Sequence, residues 1–95
     1  MKKVAVVVKE REQQYEALRT SLGSLLESHA ISFFVLDHEI DMTEEFRDNL
    51  DIFGEMDGLA FSNSEANVEK HGLAPITREE VGARLRDADI VIPFH

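Results

Sequence analysis

Val4 to Val8 is continuously apolar and mostly β-branched, the mark of a strand buried on both faces. A polar turn, Lys9 to Glu12, leads into a helix expected from about Gln13 to Ser28. Tyr15, Leu18, Leu22, Leu25 and Leu26 recur there every three or four residues and make one apolar stripe. Gly23 falls inside that helix at a cost of about 1 kcal/mol relative to alanine, so close packing is expected around it. Ile31 to Leu36 reads as a second buried strand. After it, either Asp41 with Glu44 or Thr43 alone starts a helix whose inward face is Phe46, Leu50 and Phe53, with Gly54 as its stop.

The third strand is expected at Leu59 to Ser62, followed by a short helix from about Glu65 to His71 that ends at Gly72. Lys70 and His71 suit the negative end of that helix. Ala74-Pro75-Ile76 is extended, because proline disfavours helix in the residue before it. Thr77 and Glu80 form a capping box for a last helix with Val81, Leu85 and Ala88 inward. Ile90 to Ile92 is the final strand, closed by Pro93. Buried strands alternating with amphipathic helices predict a three-layer α/β sandwich with a mainly parallel sheet of four to five strands. The simplest doubly wound arrangement of the four main strands is 2-1-3-4, a flavodoxin-like order.

At 95 residues the chain is read as a single domain, 1–95, with one core. Its longest strongly apolar run, Val4 to Val8, is far too short to span a bilayer, and the charged residues after it do not fit a signal peptide. The absence of cysteine removes disulfides, thiolate metal sites and thiol catalysis, and it fits a cytoplasmic home. A formal net charge of -9 repels phosphate backbones and anionic lipid, so neither nucleic acid nor membrane is an expected partner.

Three segments resemble the DsrE/DsrF-like sulfur-relay family, which includes the TusB, TusC and TusD type subunits. The first is the apolar strand, polar turn and helix reading Glu16 to Gly23, followed by His29 and the Ile31 to Leu36 strand. The second runs from Gly58 through Ser64 to the short helix closing at Gly72-Leu73, and the third is the ending Ala88 to Phe94. The resemblance implies a DsrE-like domain that builds homo-oligomers or meets DsrE-like protein partners. In sulfur-carrying members a cysteine follows the third strand, and the matching place here is Ser64. A hydroxyl cannot hold sulfane sulfur, so the resemblance implies the fold without the sulfur-transfer chemistry.

Candidate chemistry is sparse. Ser64 could act as a nucleophile with His38 as its base, but a serine before a helix more often caps it, and Ser62 with Glu65 already fits a capping box. Asp37, His38 and Glu39 are metal-capable, yet three neighbours on an extended strand end cannot face one ion, so no metal is expected. His29 and His71 read as structural, and the terminal His95 is expected to be disordered. Lys9 and Arg11, after the first strand, could receive an anion in a ligand crevice with the N-terminus of the first helix, and Asn63 is a further candidate to line it. No glycine-rich phosphate loop is present, and no cofactor is expected.

The sparse chemistry favours a non-catalytic binding or assembly subunit over an enzyme, and the resemblance implies one accessory to sulfur-relay or redox metabolism. The alternative is a small enzyme or ligand or metal carrier using the crevice near Ser64 and His38. Self-association is expected through the Phe46/Leu50/Phe53 helix and Met56, whose apolar surface exceeds what one thin sheet face needs.

Overall fold

The computed structural model describes residues 2–27 and 29–94. Ser28, the expected end of the first helix, and His95 lie outside the described residues. The elements follow in order: β1 Lys3–Val8, a 3-10 turn Arg11–Gln13, α1 Gln14–Leu26, β2 Ala30–Val35, α2 Glu44–Glu55, β3 Leu59–Ser62, α3 Glu65–His71, β4 Ala74–Pro75, α4 Arg78–Asp87 and β5 Ile90–Phe94. Among the described residues the strands form one sheet in the order β4-β3-β2-β1-β5, and every pairing is parallel.

That order corrects the expected 2-1-3-4, and with it the flavodoxin-like order. Each of the first three crossovers steps to the next strand in the same direction, and a right-handed crossover then lays α1, α2 and α3 on one face. The last connection returns across the sheet to place β5 beside β1, which puts α4 on the opposite face. The chain reverses direction across the sheet at the β1–β5 seam.

The two faces are unequally covered. Val4, Val6, Val8, Ile31, Phe33 and Val35 point to the first face, where α1 and α2 bury them with Leu18, Phe46, Leu50 and Phe53. Phe33 and Phe53 meet edge to face at 6.1 Å. The second face holds a thinner core of Ala5, Val7, Phe34, Leu36, Phe61, Ile76 and Val81 under α4. There Phe34 and Phe61 stack at 5.4 Å, and the Arg84 guanidinium lies over the Phe61 ring at 4.4 Å, doing the covering a second helix would otherwise do.

Several local expectations change in detail. Thr43 is the α2 cap, its hydroxyl accepting from the Phe46 N–H at 3.1 Å. Gly54 does not stop α2, which runs to Glu55; the left-handed position in the following turn is Asp57, at φ 68. Gly58 is needed for a different reason, since a Cβ there would lie 2.5 Å from the Phe53 ring. Gly23 is exposed with no neighbour to meet an added Cβ, so it is not a packing glycine. Leu26 ends α1 exposed, because the buried stripe of α1 runs through Gln14, Ala17, Leu18 and Ser21 instead. Phe46, Leu50 and Phe53 are spent in the core, at 1%, 7% and 0% exposure, so they offer no contact surface; Met56 beyond α2 stays partly exposed.

Pro93 does not close the last strand but sits within it. The Phe94 carbonyl accepts from the Lys9 N–H just after β1, so by strand alternation the polar groups of Pro93 face away from the sheet, where no N–H is required. At the other border, Ile76 N–H donates to the Ser62 carbonyl, which turns Pro75 of β4 outward in the same way. The chain has two prolines, and each occupies an outward position on an edge strand.

Candidate functional site

The carboxyl ends of β1, β2 and β3 place Lys9, Leu36 and Asn63 side by side on the α4 face, continuing the alternation of Val7, Phe34 and Phe61. The first turn of α4 leans over them, and a crevice of about 240 Å³ opens between, lined by Lys9, Leu36, Asp37, Asn63, Arg78 and Val81. Lys9 also borders a second, more apolar groove along β5 with Val91 and Phe94, so it stands at the seam where the strand order reverses.

Asp37 gives the crevice its shape. It takes a left-handed backbone at φ 65, a conformation aspartate tolerates better than most side chains but that still costs energy. Asn63 holds it there: Asp37 N–H donates to Asn63 Oδ1 at 2.9 Å, and Asn63 Nδ2 donates to Asp37 Oδ1 at 3.0 Å. Arg78 approaches the same carboxylate oxygen at 4.0 Å, an exposed and loose ion pair.

Behind the crevice lies a buried polar knot that sequence reasoning missed. Asn67, fully buried on α3, accepts from Ile40 N–H at 2.8 Å and donates to the His38 carbonyl at 2.9 Å and to Ser62 Oγ at 3.0 Å. Ser62 Oγ donates to the Val35 carbonyl at 2.7 Å and accepts from Ser64 N–H at 3.0 Å. The hydroxyl is thereby committed on every side, and the expected Ser62–Glu65 capping box does not form. Gln14, buried on α1, makes a similar clasp, donating to the Asp41 carbonyl at 2.8 Å and accepting from Asp41 N–H at 3.2 Å. Together these amides bind the β2–α2 loop to the helices on either side of it. Gln14 shares its inward face with Ala17 and Leu18, a signal that could have revealed it, whereas α3 has no apolar stripe to mark Asn67.

The remaining candidates scatter. Arg11 does not enter the crevice; its Nε donates to the Glu39 carbonyl at 3.2 Å. Ser64 occupies the N-cap position of α3 without a side-chain capping bond. His38 directs Nδ1 to its neighbouring Leu36 carbonyl at 3.0 Å, and no hydrogen bond joins it to Ser64. Among the described residues, no group of three or more His, Asp or Glu side chains is arranged to hold a metal ion. No helix among them is long and apolar enough to cross a membrane. The structure thus brings Lys9 and Asn63 together, adds Asp37 and Arg78, and leaves Arg11, His38 and Ser64 apart from them. No protein-family model matches the chain, and neither the curated proteins nor the solved structures contain a match to it.

Proposed function

We propose that this chain is a non-catalytic assembly subunit of the DsrE-like kind that associates with a second copy of itself through the α4 face. The observation that carries the reading is the single helix on that face: Leu59 on β3 and Val91 on β5 flank α4 and remain 49% and 42% exposed. Exposed apolar residues grouped beside grooves are the usual raw material of a protein contact.

The charge distribution selects the same side. The helices α1 and α2 together carry six acidic and two basic side chains, whereas α4 carries three of each. Two copies approaching by their α1/α2 sides repel; by their α4 sides they do not. The outer surface of α4 also complements itself. Glu79 and Arg86 lie two turns apart with Gly82 and Ala83 between them, so antiparallel packing about a two-fold axis brings Glu79 of each copy to Arg86 of the other over small residues. Ser64 keeps the place of the sulfur carrier's cysteine without its chemistry, which leaves partner contact as the role of the domain within a sulfur-relay setting.

Sedimentation of the purified protein at micromolar concentration, in low and moderate salt, tests this reading. A dimer is expected in both. Glu79→Arg should give monomer, and Glu79→Arg with Arg86→Glu should restore the dimer, because the swapped pair is again complementary. A wild-type monomer in both salts, or a dimer that ignores the single swap, overturns the α4 contact.

A further inference from the structure

The crevice at the carboxyl ends of β1–β3 is independent of the outer α4 surface, and its chemistry points to a ligand of its own. Lys9 enters it without an ion-pair partner among the described residues. Arg78 enters from the opposite wall, with its guanidinium held only by the loose 4.0 Å contact to Asp37. The Nδ2 of Asn63 uses one hydrogen on Asp37 and has no second acceptor among the described residues. Three donors, two of them cationic, therefore converge on a space of about 240 Å³ whose floor is Leu36 and Val81. Lys9 and Arg78 against the single carboxylate of Asp37 leave this recess one positive charge in excess, in a chain of net charge -9.

We propose that this crevice binds a small anion, a phosphate or a short-chain carboxylate, between Lys9 and Arg78, with Asn63 donating a third hydrogen bond. Asp37 is the competing anion: its carboxylate lies loosely beside Arg78 and gives it up to the ligand. The space is below the usual range for drug-sized ligands, which limits the occupant to a few heavy atoms. A carboxylate or phosphate gains charge-assisted hydrogen bonds from Lys9 and Arg78 that the long Asp37 contact does not supply.

This assignment predicts an unusual sign for one substitution. Asp37→Asn removes the competing negative charge but keeps an oxygen to accept from Asn63, and asparagine suits the left-handed backbone at least as well. It should therefore bind the anion more tightly than the natural chain.

The test is an amide-resolved NMR titration of the full chain with inorganic phosphate and, separately, with succinate. Shifts should centre on Lys9, Asp37, Asn63 and Arg78 for at least one of the two, and which one responds identifies the headgroup. Lys9→Ala and Arg78→Ala should each weaken binding about tenfold, and Asp37→Asn should strengthen it several-fold; the spectra themselves report whether each variant is folded. Shifts spread over unrelated cations such as Arg47 and Lys70, no response to either anion at millimolar concentration, or an Asp37→Asn variant that binds no better would overturn the proposal.

Discussion

Asp37 and Asn63 hold each other across the ends of β2 and β3 by two hydrogen bonds, of 2.9 and 3.0 Å, one to the backbone of Asp37 and one to its side chain. The pair fixes a left-handed residue where the sheet meets the crevice. Asn63→Ala should cost about 1 kcal/mol, the worth of a partly exposed hydrogen-bond pair. Adding Asp37→Gly should recover much of it, because glycine adopts that backbone without a clasp. Chemical denaturation of the two variants checks both statements, and equal stability of single and double variants would show that the left-handed backbone needs no support.

Asn67 ought to be far less tolerant. Asn67→Ala leaves the Ile40 N–H, the His38 carbonyl and part of Ser62 Oγ without partners in a buried place, a loss of about 2–3 kcal/mol. Asn67→Asp retains the shape but puts a carboxyl group where two hydrogens are needed. Burial raises the pKa of such a group above its unfolded value near 4, so this variant should be most stable in acid and lose stability as pH rises through the folded pKa. Denaturation curves at acidic and neutral pH distinguish this behaviour from a pH-independent loss.

The two neighbouring serines make a contrast. Ser62→Ala removes a hydroxyl with three partners, two of them in buried hydrogen bonds, and should cost about 1–3 kcal/mol. Ser64→Ala removes one with no capping bond and should change stability by less than about 0.5 kcal/mol. Thermal unfolding of both variants reads the difference; a larger loss at Ser64 would assign it a contact that its position does not provide.

Two glycines should respond in opposite directions. Gly23→Ala places a methyl group in open solvent on a helix and should stabilise the protein by up to about 1 kcal/mol. Gly58→Ala drives a methyl group into the Phe53 ring, itself fully buried, and should destabilise it by about 1–3 kcal/mol. Melting temperatures moving the same way for both would contradict the local geometry at one of them.

Lys3 ties β1 to the end of α4, its ammonium donating to Asp87 at 2.9 Å, and that bond holds its pKa above the ordinary lysine value. The interaction is complete below the unfolded lysine pKa and is lost only as pH rises through the higher folded one, so its contribution fades in strongly alkaline solution. An NMR titration of the Lys3 Nζ should show the raised value in the natural chain and a return toward normal in Asp87→Asn.

The sequence revealed the elements because each carried its own local chemistry: the Val4–Val8 run, the Thr77–Glu80 box and the Gly72 stop all act within a few residues. Strand order was not legible, since it depends on the direction of each crossover and no single residue encodes that. Lys9 and Asn63 could be placed at strand ends from periodicity, whereas Arg78 joined them only through the long return connection that lays α4 on the second face. Asn67 and Gln14 were overlooked because an amide in a charged helix reads as surface until its neighbours are known. Phe46, Leu50 and Phe53 misled in the opposite sense: they suggested spare apolar surface, but the layer beneath α2 uses all of it.

Pro75 and Pro93 bear on what happens when many copies are crowded together. A foreign strand arriving at either border of the sheet meets a position with no donor, so the ladder it would need is interrupted at its first steps. Backbone templating, the route by which exposed borders seed fibrils, is obstructed on both sides. Molecules of this protein can therefore be concentrated into close mutual contact, face against face, with little risk that proximity becomes polymerisation.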